Sequence, residues 1–280
     1  VPIVTAADHR FARTVHQMLA SAERCALPAS HRISVVDLGM HKRDRERIAR
    51  RFPWCRIAQF DFTAGPPHLR ELGNFAWKPF LIFDLVLRGD GPILWFDSAT
   101  LFHGGIDAMI DGVARDGIFS LAGQSSLGEC CDPRTLAKLM PDPEDLREPY
   151  RAGGVLGFDP ARPLVRDIVR RWREFAADPA CLAPSGADRR RHKFDQALLT
   201  ALLYRARREH GLQIGTEEID ISSTSPVRWV STRNKVAPWV PRACDWLVRA
   251  YYAIWKRADR TALRLKARRP VASYPRAYSR

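Results

Sequence analysis

The sequence predicts an α/β fold, a mainly parallel sheet with helices on both faces, followed by a basic amphipathic C-terminal helix. Three observations carry that expectation. Short strand-like runs alternate with helical stretches, which is the signature of strands joined by crossover helices. The run Ile93–Phe96 is apolar without alternation, as in a central parallel strand covered on both faces. Beyond Pro241 the composition shifts to aromatic and basic residues, and that stretch reads as a separate element. A chain of 280 residues is long enough to bury the core of one large α/β domain, here expected over residues 1–240, with the tail at 241–280.

Taken in order, the expected strands cover residues 3–6, 33–38, 55–60, 93–97, 118–122 and 155–158. The expected helices cover residues 11–23, 42–51, 79–88, 106–114, 164–176 and 193–208. Pro79 has its φ preset for a first helical turn, and residues 80–87 are apolar almost all round, so this helix is expected to be sandwiched rather than solvated. The Gly89-Asp-Gly-Pro92 cluster stops it. Asp97 then falls at the carboxyl end of a buried strand, where open α/β sheets bind ligands. Residues 125–151 are polar and Pro-rich, with a short helix expected after Asp132, and a connection of that length reads as a lid or acceptor-binding element. Residues 184–191, Pro-Ser-Gly-Ala-Asp-Arg-Arg-Arg, read as an exposed loop.

Composition narrows the function classes. No apolar run reaches the roughly eighteen residues a membrane-spanning helix needs, and the opening Val1-Pro2-Ile3-Val4-Thr5 reads as a strand rather than a signal peptide. The absence of an initial Met leaves open that upstream residues were removed. Cys25, Cys55, Cys181 and Cys244 are scattered and Cys130-Cys131 adjacent, a spacing that suits neither a zinc site nor a disulfide scaffold and favours a reducing, cytoplasmic setting. The net charge is +14, and more than half of it comes from the last forty residues.

The segments Ala76-Trp-Lys-Pro79 and Ile93-Leu-Trp-Phe-Asp-Ser-Ala-Thr-Leu-Phe102 resemble the core of GT-A fold, nucleotide-sugar-dependent glycosyltransferases. The likeness is greatest to glycosyltransferase family 8 and its relatives with a Trp-Lys-Pro helix. Three further stretches resemble the same group in the expected order: PIVTAADHRF with the strand and helix that follow, YRAGGVLGFDP, and HKFDQALLTALL. The resemblance covers roughly residues 2–236.

Sugar transfer from a nucleotide diphosphate requires a neutralised leaving diphosphate, an oriented acceptor hydroxyl and exclusion of water. Typical members hold Mn²⁺ or Mg²⁺ on an Asp-x-Asp motif, since hard oxygen ligands suit these ions. Here the motif reads Asp97-Ser98-Ala99, so the second carboxylate is missing. Asp97 is left as the one expected metal ligand, with hydrogen bonding to ribose or sugar, or capping of the following turn, as alternatives.

The resemblance also implies donor-binding roles for Asp8, Lys78, Ser98, Gly153, Gly154, Arg233 and Lys235. Asp8 would meet the base or ribose. Lys78 would approach the phosphates and take over part of the absent metal's charge, the bland alternative being a pair with Asp84. Trp77 would stack on a base or sugar or simply fill the core. Gly153-Gly154 would allow close approach of backbone to ligand. Arg233 and Lys235 fall where family 8 carries a His-x-x-Gly-x-x-Lys-Pro-Trp closing motif, absent here.

The catalytic candidates are Asp195, Gln196 and His192. If the helix has begun by His192, His192 and Gln196 share one face. An inverting enzyme needs a general base, which Asp195 or His192 would supply, whereas a retaining one needs only a polar group near the sugar. Asp195 also fits a plain helix N-terminal charge.

In the tail, Trp246, Leu247, Tyr251, Ile254, Trp255, Ala258 and Leu263 trace an apolar stripe beside Arg249, Lys256, Arg257, Arg260, Arg264 and Lys266. This fits an anionic membrane surface, such as the inner face of the cell membrane, or a helix packed on the catalytic domain. The expected function is transfer of a sugar from a nucleotide-diphosphate donor to a glycan or lipid-linked acceptor in bacterial surface polysaccharide assembly. Two other readings stay open: a catalytically inactive GT-A-like domain that binds glycan or membrane, and a nucleic-acid-binding protein. The last has charge but no recognised motif behind it, so no specific nucleic acid is expected.

Overall fold

Nine strands lie in the computed structural model, which describes residues 1–216 and 230–232. They are β1 (Pro2–Ala7), β2 (Arg32–Asp37), β3 (Arg56–Gln59), β4 (Ile93–Phe96), β5 (Leu101–Phe102), β6 (Ile118–Ser126), β7 (Pro149–Phe158), β8 (Ile214–Gly215) and β9 (Val230–Ser231). The main sheet has the order β3-β2-β1-β4-β7-β6-β8, and β5 pairs with β9 in a small second sheet. From β3 to β4 every neighbour is parallel. The mainly parallel pattern read from the sequence breaks at β7, which enters antiparallel between β4 and β6. Strand-like composition carries no direction, and only pairing partners supply it.

The helices are α1 (Ala12–Arg24), α2 (Leu27–Ser30), α3 (Lys42–Arg51), α4 (Trp77–Arg88), α5 (Asp107–Asp116), α6 (Leu127–Cys130), α7 (Pro133–Leu139), α8 (Pro163–Ala177), α9 (Pro179–Leu182) and α10 (Asp195–His210). They cover both faces of the sheet because successive strand residues point to opposite sides. Val4, Trp95 and Leu156 join α4, α8 and α10 in one apolar cluster. Their neighbours Ile3, Leu94, Phe96 and Val155 join α1 and α5 in the other. Each such fully buried aliphatic side chain contributes about 1.5–3 kcal/mol. Helix α4 buries Trp77, Phe80, Leu81, Ile82 and Val86, with Phe83 and Leu85 partly covered, as its all-round apolar sequence predicted.

The short helix expected after Asp132 is present as α7, and residues 125–151 carry further regular structure around it. They hold α6, α7, a single 3-10 turn and the start of β7. Ser126 and Glu129 form a reciprocal capping box at α6, and Asp132 caps α7. Leu127, Cys131 and Leu139 from this stretch belong to the core. Among the described residues no helix is long and apolar enough to cross a membrane, and Cys25, Cys55, Cys130, Cys131 and Cys181 are free thiols. The boundary expected near residue 240, the C-terminal amphipathic helix, Arg233 and Lys235 all lie outside the described residues.

Candidate active site

The parallel register Ile3↔Leu94 sets the loops after β1 and β4 side by side at the carboxyl edge of the sheet. Asp97 lies just beyond β4, its N–H donating 2.8 Å to the carbonyl of Gly154 on β7. One of its carboxylate oxygens, Oδ1, accepts from Trp95 Nε1 at 3.0 Å and from Lys78 Nζ at 3.0 Å. Lys78 also donates to the Gly153 carbonyl at 3.1 Å, and Asp195 Oδ2 lies 3.9 Å from the same ammonium. Lys78 therefore pairs with Asp97 and Asp195 rather than with Asp84.

Local turn chemistry explains how a lysine comes to be buried here. Asn74 Oδ1 accepts the N–H of Ala76 and its Nδ2 donates to the His68 carbonyl, which closes the approach to α4. Phe75 then takes φ 62 and ψ 15, a left-handed conformation unusual for an aromatic residue, and α4 starts two residues later. The Lys78 side chain is only 2 % exposed, with its ammonium 5.1 Å from the Trp95 ring centroid, 5.7 Å from Phe75 and 5.8 Å from Trp77. Three rings and two carboxylates thus replace its water shell. Burial pulls its pKa down, but Asp97 and Asp195 together more than offset this and leave it above the ordinary lysine value. Trp77 belongs to the core cluster and forms part of this wall at once.

Asp195 opens α10 and is fully buried, and neither carboxylate oxygen has a hydrogen-bond partner among the described residues. Burial raises its pKa to about 7, Lys78 opposing the rise and Asp97 adding to it. Its carbonyl accepts from Trp172 Nε1 at 2.8 Å, which ties the start of α10 to α8. Phe194, immediately before it, has φ 47 and ψ −120. That break is why α10 begins at Asp195 and not at residue 193.

His192 consequently sits outside the helix and shares no helical face with Gln196. It is fully buried, Nδ1 accepting the Asp132 N–H at 3.1 Å and Nε2 donating to the Leu182 carbonyl at 2.7 Å. Burial holds its pKa below the ordinary histidine value. With both nitrogens committed, His192 ties α7, α9 and the lead into α10 together, which corrects the expectation of a catalytic base there. Gln196 stays partly exposed, and its side-chain amide has no partner among the described residues.

The glycines divide in role. A Cβ at Gly153 would lie 2.7 Å from Gln196 Cγ, so the space a side chain would take is filled by Gln196 rather than kept for a ligand. A Cβ at Gly154 would lie 3.3 Å from Asp97 Oδ2, which crowds the carboxylate's freer oxygen. The buried Ser98 hydroxyl shares a 3.2 Å hydrogen bond with Thr14 of α1, so it faces a helix instead of the site. Asp8 is buried and turned onto its own loop, accepting from the Arg10 N–H at 2.8 Å and Arg10 Nε at 2.7 Å. A cleft of about 610 Å³ lies between Asp8, His9 and Arg10 on one side and residues 70–74 on the other. Asn74, the last residue of its lining, directly precedes Phe75 in sequence.

The described residues offer a divalent cation little beyond the Oδ2 of Asp97. Ala99 replaces the second carboxylate, the shared oxygen of Asp97 is taken by an ammonium and an indole, and no group of three or more His, Cys, Asp or Glu able to hold a metal occurs among the described residues.

No protein-family model matches the chain, and no curated protein matches it in sequence. Solved structures do match in fold. The galactosyltransferase LgtC, in complex with donor and acceptor sugar analogs, superposes at a TM-score of 0.52 and 16% identity, over 90% of this chain and 94% of that one. An active-site mutant of LgtC gives 0.54 and 15%, over 91% and 95%. The chain also covers 72% of itself but only 37% of the bifunctional glycosyltransferase WbbM in its apo form, at 13% identity and a TM-score of 0.48. The fold is therefore the GT-A fold of glycosyltransferases.

Proposed function

We propose that this protein is a glycosyltransferase that moves a sugar from a nucleotide-diphosphate donor to a glycan or lipid-linked acceptor in bacterial surface polysaccharide assembly. The observation that carries the proposal is the orphaned carboxylate of Asp195, buried beside the Lys78–Asp97 pair at the carboxyl edge of β4. A buried carboxylate with both oxygens unsatisfied is costly, by about 1–3 kcal/mol or more, and a sugar's hydroxyl pair would satisfy it. Gln196 offers a further amide donor and acceptor beside it. Held near neutrality, Asp195 is also able to accept a proton from a hydroxyl. Lys78 fixes Asp97 in place beside Asp195, so the carboxylates are already oriented when the sugar binds. The likeness in fold to LgtC, which was crystallised with donor and acceptor sugar analogs, supports the same reading. The basic aromatic tail supports a lipid-linked acceptor at an anionic membrane.

Calorimetric titration with UDP, GDP, CMP and dTDP sugars, in Mn²⁺ and again in chelator, tests the proposal. Saturable binding of one nucleotide class that Asp195→Ala abolishes is the expected result. No binding of any of them would transfer weight to a GT-A domain that binds glycan or membrane without turnover.

A further inference from the structure

Resting on the transferase reading above, the charges around the site can be taken one step further. The inner cluster is close to electrically balanced by itself: the Lys78 ammonium is already paired with Asp97 at 3.0 Å and has Asp195 at 3.9 Å. A leaving diphosphate needs positive charge beyond that pair. The residue in place to supply it is Arg189, in the loop before α10. Its guanidinium lies 4.6 Å from the centroid of the Phe75 ring, the same ring that flanks Lys78 at 5.7 Å. Arg189 is exposed and makes no ion pair among the described residues. Its field nevertheless reaches inward, lowering the pKa of both Lys78 and Asp195.

The backbone holds this arginine in position. Asp188 accepts the N–H groups of Arg190 at 2.6 Å and Arg191 at 3.2 Å, and Lys193 Nζ donates 2.9 Å to the Arg189 carbonyl. His192, tied to Leu182 and Asp132, anchors the end of the turn. Phe75 follows Asn74, the last residue of the cleft's lining, and its ring lies between the Arg189 guanidinium and the Lys78 ammonium. An arginine stacked on an aromatic face keeps its N–H fork free for paired phosphate oxygens.

We propose that Arg189, with Lys78 behind it, forms a fixed cation seat for the diphosphate of the donor, so that donor binding needs no divalent cation. The whole chain would be titrated with UDP, GDP and CDP and with the matching nucleosides, in EDTA and in Mn²⁺. One nucleoside diphosphate binds equally in both buffers. Arg189→Gln weakens that nucleotide about tenfold to a hundredfold while leaving the matching nucleoside unchanged, the loss expected for a charge-assisted contact. Arg190→Gln, one residue along the same turn, binds as the wild type does. Nucleotide binding that vanishes in EDTA and returns with Mn²⁺ overturns the fixed-cation seat, as does wild-type affinity in Arg189→Gln; in either case the transferase reading stands. No nucleotide bound in either buffer removes both together.

Discussion

Replacing Asp195 by asparagine separates what this carboxylate costs the fold from what it does in the site. Asparagine has nearly the same shape but never carries charge, and it presents two N–H donors in place of one acceptor oxygen. In the folded chain burial moves the Asp195 pKa from the ordinary 3.8 to about 7, a value that already includes the opposing attraction of Lys78. Between these two pH values the folded state keeps a proton that the unfolded chain has released, so wild-type stability falls as pH rises through that window. The Asp195→Asn variant has no such proton. Its stability relative to wild type should therefore grow by about 1.4 kcal/mol per pH unit from about pH 4 upwards and level off above about pH 7, for a total on the order of 4 kcal/mol. Lys78 does not blur the comparison, because its pKa is raised above the lysine value and it stays charged throughout. Urea unfolding at a series of pH values from about 5 to about 8, followed by the fluorescence of the buried Trp77, Trp95 and Trp172, measures the difference directly. A gap that stays constant with pH would refute the claim that Asp195 is a desolvated carboxylate. Donor turnover in the same variant should fall by roughly a hundredfold or more, giving a protein that is more stable and less active.

Two further outcomes are expected, one from the geometry of the site and one from the sequence of the tail. Gly153→Ala places a Cβ where Gln196 Cγ stands, 2.7 Å away, so Gln196 must move; turnover should drop with the nucleotide affinity of the cleft unchanged, and equal losses in both would show that Gly153 serves the nucleotide instead. Deleting the residues after Pro241 should release the protein from anionic vesicles while leaving nucleotide binding intact, and unchanged vesicle retention would exclude the tail as anchor.

The parts of the fold that could be read in the sequence are those whose signal is local. The apolar run of β4, the all-round apolar α4 and the Gly-Asp-Gly-Pro stop between them needed no partner to be recognised, and Asp97 followed from them by position. Lys78, Asp97 and Asp195 were each identified separately, and the structure brings the three together. What could not be read were the relations between distant segments. The antiparallel entry of β7 depends on which strands it pairs with, and although the short helix after Asp132 was legible, the way residues 125–151 complete the core through Leu127, Cys131 and Leu139 was not. His192 stands one turn before Gln196 in a helical projection, yet its two backbone partners sit 60 and 10 residues away in sequence. Arg189 belonged to a run of three arginines that read as a solvated loop, and nothing local distinguishes the one that stacks on Phe75.

The two residues that place the charged groups carry no sequence signal at all. Phe75 and Phe194 both adopt positive φ, an arrangement that costs a non-glycine residue about 1–3 kcal/mol, and each immediately precedes the turn that delivers a charged group to the site. Glycine would take either conformation without strain. At both positions the phenylalanine ring has a second task. The Phe75 ring flanks Lys78 and carries Arg189, and the Phe194 ring is buried 5.1 Å from the His192 ring in an edge-on contact. Each ring thus holds in place the turn its own backbone strains, and a glycine there would relieve the φ while releasing the cation or the histidine. The strain and the desolvated Asp195 are costs of the same kind, offset by the apolar clusters on either face of the sheet. Ala26 and Met140 also adopt positive φ, so what sets Phe75 and Phe194 apart is that each leads directly into an element that carries a buried charged group.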